Sequence, residues 1–125
     1  MTRETFTTDR IAAPVGPFSP AVRAGEFLYL SGQVAQDPAT GRLIDGDAAA
    51  QTEQIFANLE AVLEAAGKSL ADVVRVGVFL TDMADYPAMN AVYGRRFEAP
   101  YPARTAVAVA ALPLVAAVEL DVVAR

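Results

Sequence analysis

The chain contains no cysteine and no histidine. Their absence removes a disulfide framework, a thiolate nucleophile, a Ser-His-Asp triad and zinc sites of the usual ligand types. No apolar run approaches the roughly 18 residues that a membrane-spanning helix needs, because Arg, Glu, Asp or Pro interrupts every candidate. The first ten residues, Met1 to Arg10, lack the apolar centre of a signal peptide, so a soluble cytoplasmic protein is expected, with no membrane partner. Basic charge is scarce: 10 Lys and Arg stand against 15 Asp and Glu, giving a net charge of −5. A nucleic-acid partner needs a basic face, and the one basic doublet, Arg95-Arg96, reads as a solvated helix surface. Phosphate-binding glycine loops are missing too, and Asp45-Gly46-Asp47 is too sparse for a calcium loop. We expect no metal, no nucleotide and no nucleic acid.

What remains for chemistry is Arg, Asp, Glu, Ser, Tyr, Lys and the backbone. At 125 residues the chain is expected to form one domain, 1–125. Hydrophobic residues make up 54% of it, more than the roughly 45–50% of a comparable set in an average globular domain. Some of that apolar surface is expected to be buried between subunits.

Ala21 to Arg23 and Phe27 to Gln33 flank Ala24-Gly25-Glu26, which predicts a hairpin. In its second strand Phe27, Tyr29 and Ser31 share one face, and Leu28 and Leu30 the other. From Asp47 to Ala66 apolar residues recur at three- and four-residue spacing, and Gly67 supplies a stop, so a first helix is expected there. Val73 to Leu80 reads as a central strand covered on both faces. Pro87 opens a second helix whose stripe is Met89, Val92, Tyr93 and Phe97. Arg104 to Ala110 and Ala117 to Ala124, joined through Leu112-Pro113-Leu114, read as a final antiparallel hairpin.

Arg104 heads the apolar strand that the Val and Ala of 105–112 place in the sheet core. A guanidinium there cannot shed its charge, which leaves three roles open: reaching water, pairing with a carboxylate, or reading the anionic group of a small ligand. If the last hairpin places Ala106 opposite Asp121, then Arg104 shares a face with Glu119 and Asp121 and reaches the latter diagonally.

The segments Gly16-Pro17-Phe18-Ser19-Pro20, Ser31-Gly32-Gln33, Asn90 with Tyr93, Pro102-Ala103-Arg104-Thr105 and Val118-Glu119-Leu120-Asp121 together resemble the reactive intermediate deaminase family, in order and spacing, over about Ala13 to Ala124. The resemblance implies an α+β, chorismate-mutase-like fold, a six-stranded mixed sheet with two helices on one face. It implies a homotrimer with sites between subunits and hydrolysis, without a cofactor, of 2-imino acids such as 2-iminopropanoate and 2-iminobutanoate to 2-keto acids and ammonia.

By the same resemblance Arg104 binds the substrate carboxylate in its planar fork. Asp121, with Glu119 two residues earlier, falls where the family has the glutamate that positions the attacking water. Ser31 orients substrate or water, the Ala106 amide is a second donor, and Gly32, Asn90 and Phe18 complete the substrate contacts. Two positions depart from the pattern. Phe18 replaces a tyrosine and cannot donate a hydrogen bond. Asp121 is shorter than glutamate by one bond of about 1.5 Å, where a misplacement of roughly 1 Å can cost on the order of a hundredfold in rate. A second class of function is a non-catalytic trimeric protein, chaperone-like or binding a keto acid without turnover, and the same site also suits an enzyme acting on another carbonyl or imine compound. Ribonuclease action is a third, for which the acidic balance leaves no phosphate cradle.

Overall fold

The computed structural model describes residues 3–125. Its elements are β1 (Glu4–Phe6), β2 (Ala21–Ala24), β3 (Phe27–Gln33), α1 (Ala48–Ala65), β4 (Val73–Leu80), α2 (Tyr86–Arg96), β5 (Ala103–Ala108) and β6 (Val118–Ala124), with single 3-10 turns at 70–72 and 83–85 and a tight turn at 113–115 in which Leu114 and Val115 have positive φ. The strands form one mixed sheet in the order β1-β2-β3-β6-β4-β5.

Local chemistry starts and stops both helices as the sequence indicates. The Asp47 side chain accepts from the Ala50 amide at 2.9 Å and caps α1. Gly67, at φ 76°, turns the chain out, and the Lys68 amide closes back on the Leu63 carbonyl at 2.9 Å. Pro87 lies in the first turn of α2, where a missing amide hydrogen costs nothing, and Arg95 and Arg96 lie in its last turn, where the helix dipole favours cations. Ile55, Leu59, Val62 and Leu63 of α1 and Met89, Val92 and Tyr93 of α2 are buried in one core with Leu28, Val76, Val78, Leu120 and Val122 of the sheet. Phe56 meets Tyr93 and Phe97 edge to face, with centroids 6.1 and 5.5 Å apart. Arg96 ties the helices together through Glu53 at 2.7 Å and Glu60 at 2.8 Å.

The last hairpin does not form. β5 runs parallel to β4, with Val76 beside Arg104, and β6 lies antiparallel on the other side of β4, with Gly77 beside Asp121. The cause is α2: a strand, helix, strand run is long enough to bring the second strand back parallel to the first, and β5 takes that place. The 109–117 segment then carries the chain past β4. Hence β5 is an edge strand whose residues are exposed or half-buried, not a core strand, and β4 is one in from the edge. A short strand, β1, extends the far edge beside β2 without an apolar alternation to announce it. Among the described residues no helix is long and apolar enough to cross a membrane.

Candidate functional site

The change of topology decides which side chains can meet. Val76 registers with both Arg104 and Val122, so Arg104 points to the helix-covered face. Glu119 and Asp121 are odd-numbered neighbours of Val122 on β6 and point to the open face. The expectation that Arg104 reaches Asp121 within the chain is therefore overturned: the sheet separates them.

On the helix side, α2 builds a cradle for Arg104. Tyr86, Asn90 and Tyr93 follow at helical spacing on one face. The Arg104 guanidinium donates from Nη1 to Asn90 Oδ1 at 2.7 Å and from Nη2 to the Tyr86 hydroxyl at 2.5 Å. Its carbon lies 4.6 Å from the Tyr93 ring centroid, within cation–π range. Among the described residues no carboxylate lies within 4.0 Å of it, unlike the guanidinia of Arg10, Arg23, Arg95, Arg96 and Arg125. Of the three roles the residues left open, internal pairing is excluded. Two hydrogen bonds to neutral acceptors leave most of its five donors free beside a cavity of about 410 Å³ lined by Asn90, Tyr93, Tyr101 and Arg104. The mid-helix asparagine thus has its tertiary bond, to Arg104. Tyr86 escaped the sequence reading, although its position four residues before Asn90 marks the same helix face. Among the described residues the buried Tyr93 hydroxyl has no hydrogen-bond partner, and burial pushes its pKa up against the opposing charge of Arg104.

On the open side, Glu119 lines a second cavity, about 180 Å³, with Phe18, Gly32, Val15, Ile11 and Leu114. Burial first, and the charge of Asp121 second, push the Glu119 pKa up. Gly32 matters for its lack of a side chain: a Cβ there would stand 2.8 Å from Glu119 Oε2. Asp121 is engaged elsewhere, its Oδ1 accepting the Gly77 amide hydrogen at 3.1 Å. A Cβ on Gly77 would stand 2.3 Å from that same oxygen. The Ser31 hydroxyl donates to the Ser19 carbonyl at 2.7 Å and ties the loop carrying Phe18 to β3. Ala106 registers with Val78, on the face of Arg104. The structure thus gathers Arg104 and Asn90, with Ala106 two residues along the strand, in one place and Phe18, Gly32 and Glu119 in another, with Ser31 anchoring the second.

A mixed sheet with two helices on one face, with an arginine at its edge that meets no carboxylate among the described residues, defines an α+β class of fold. A family model described as Endoribonuclease L-PSP matches residues 7–125, and the chain belongs to that family, the reactive intermediate deaminases. A RutC family protein of Pyrococcus horikoshii is 44% identical over 122 residues, 98% of this chain and 97% of its own. A 2-iminobutanoate/2-iminopropanoate deaminase of Dermatophagoides farinae is 39% identical over 119 residues, 95% and 93% of the two chains. The crystal structure of RidA from the Antarctic bacterium Psychrobacter sp. superposes with a TM-score of 0.94 at 46% identity, over 98% of this chain and 99% of that one.

Proposed function

We propose that this protein hydrolyses 2-imino acids to 2-keto acids and ammonia, as a homotrimer in which Arg104 of one subunit faces Glu119 of its neighbour. The observation that carries it is the Arg104 cradle, a fixed guanidinium with neutral partners and free donors beside a cavity. Such a fork takes a carboxylate through charge-assisted bonds of roughly 1.5–3 kcal/mol each. The opposite-face placement of Arg104 and Glu119 supports a site shared between chains, whatever their number, because a ligand the size of an imino acid touches both only when two chains contribute. The exposed strand β5, with Val107 40% accessible, offers an apolar edge for that contact.

The chemistry asks little more. A 2-imino acid held by its carboxylate presents a protonated C=N carbon that is already electrophilic. Glu119 accepts a hydrogen bond from a water and takes its proton as the water oxygen bonds to that carbon. The proton passes to nitrogen, the C–N bond breaks as ammonia leaves, and Glu119, again a carboxylate, takes the carbinol O–H proton as that oxygen becomes the keto oxygen. Water is the only other reactant, so no cofactor is required. Glu119 is preferred to Asp121 for this role because it lines the cavity while Asp121 is bonded to the Gly77 amide. The Ala106 amide and Asn90 complete the anion site, and Gly32 and Phe18 floor the opposite half.

A second reading, ligand binding without turnover, is favoured by Phe18, which lacks a hydroxyl, and by the Ser31 hydroxyl, whose proton is committed to Ser19. The ribonuclease activity in the family model's description is not what we propose, since a chain of net charge −5 offers no phosphate cradle. The test is keto-acid release when a threonine or serine dehydratase generates 2-iminobutanoate or 2-iminopropanoate in place. Acceleration by the wild type but not by Arg104→Ala supports hydrolysis. No acceleration over the blank, with keto-acid binding retained, supports the second reading instead.

A further inference from the structure

We infer that the cavity beside Glu119 selects 2-imino acids with bulky apolar side chains over those with a methyl or hydroxymethyl group; this rests on the imine-hydrolase reading above. Around the Glu119 carboxylate the lining is mostly apolar, with Ile11, Val15, Phe18 and Leu114 prominent. Its volume of about 180 Å³ far exceeds the roughly 10–15 Å³ that one water needs on the same measure, so a methyl group would leave most of it unfilled.

The rim carries a second, independent sign. Leu114 and Val115 both have φ of 58°, a left-handed conformation that suits glycine or asparagine and is an outlier for a β-branched residue. Val115 is 93% exposed within the chain, so no packing inside the chain holds it there. The strained turn swings Leu114 against the cavity that Glu119 lines, and Val15 and Phe18 stand exposed at the same mouth. Strained backbone of this kind gathers at ligand clamps. Exposed apolar groups around a concave site mark where an apolar ligand is taken from water. Each methylene buried there raises kcat/KM about fourfold.

The experiment uses an L-amino-acid oxidase to supply 2-imino acids from alanine, leucine and phenylalanine, with semicarbazide competing for the free imine. The free imine is trapped faster than the keto acid, which gives the same semicarbazone, so relative kcat/KM values follow from how far the protein slows early semicarbazone formation for each imine. The expected result is a preference on the order of tens-fold for the leucine- and phenylalanine-derived imines, and a narrower ratio in Leu114→Asn. Asparagine tolerates the left-handed turn, so that variant folds. Equal kcat/KM for all three imines overturns the selectivity while leaving hydrolysis in place. Should none be hydrolysed, the hydrolase reading fails, and calorimetry with 2-oxopropanoate and 4-methyl-2-oxopentanoate decides the cavity's role. Tighter binding of the second supports the apolar subsite, and equal binding or none overturns it.

Discussion

Arg104 and Glu119 stand on opposite faces of one sheet, because β4 lies between β5 and β6 and carries Arg104 in register with Val122, three residues from Glu119. The chain therefore holds two separate groups: the Arg104 guanidinium held by Asn90 and Tyr86 of α2, and the Glu119 carboxylate in a largely apolar cavity beside the Phe18 loop.

The cradle is neutral by construction, and that is testable at Asn90. Asn90→Asp places a carboxylate where Oδ1 now stands 2.7 Å from Nη1. The new ion pair satisfies Arg104 internally and competes with the substrate carboxylate. KM is expected to rise about tenfold or more, with the melting temperature unchanged or higher. An unchanged KM contradicts the anion-reading role.

Glu119 couples activity and stability in opposite senses. Its folded pKa is raised, so between its unfolded and folded values the native state binds more protons, and stability falls as pH rises through that window. Above it the full penalty of a buried charge is present. Glu119→Gln cannot ionise and is expected to melt higher than the wild type at about pH 7, with no such gain at about pH 3, while losing hydrolysis by roughly 100-fold or more. The wild-type rate should rise with pH through a limb above the ordinary glutamate range. Calorimetry and a pH–rate profile check both.

Gly32→Ala separates position from stability. The added Cβ meets Glu119 Oε2, the far end of a flexible side chain, so the fold yields cheaply and the carboxylate moves. Stability is expected to change by less than about 1 kcal/mol, while kcat falls by about 10–100-fold with KM little altered. A large loss of stability with normal kcat contradicts this account.

Arg96 joins α1 to α2 through two carboxylates and lies 5.6 Å from the Phe56 ring centroid. The Arg96 hydrogen bond is the first cause that holds Glu53 below the ordinary carboxylate range, with its charge adding to the effect. That contribution is present above the unfolded pKa and is lost as pH falls through the folded one. Glu53 and Glu60 are 41% and 37% exposed, so solvent screens much of it. Arg96→Ala is expected to cost about 1 kcal/mol near neutral pH and less in acid, read by urea unfolding.

Sequence and structure agree where local physics governs. The helix start near Asp47, the Gly67 stop, Pro87 and the stripe from Met89 to Phe97 each depend on neighbours a few residues away, and all were legible, whereas the role of Asp47 as the cap came from the structure. The β5–β6 pairing was not, because strand order is a long-range choice that two apolar strands and a short loop leave ambiguous. The β4–α2–β5 run held the better clue, since a helix between strands favours parallel pairing. Arg104 and Asn90 could be named from their segments. Their contact could not, since it depends on which side of β4 the strand β5 occupies, and Tyr86 was passed over as part of a helix start.

The composite site is tested most directly by mixing defects. Arg104→Ala and Glu119→Gln chains are each expected to be inactive in 2-iminobutanoate hydrolysis. Co-expressed and assembled at random, they should regain roughly a quarter of wild-type activity, the share of interfaces that pair an intact Arg104 with a neighbour's intact Glu119. No recovery in mixed oligomers of confirmed composition would contradict the proposed site.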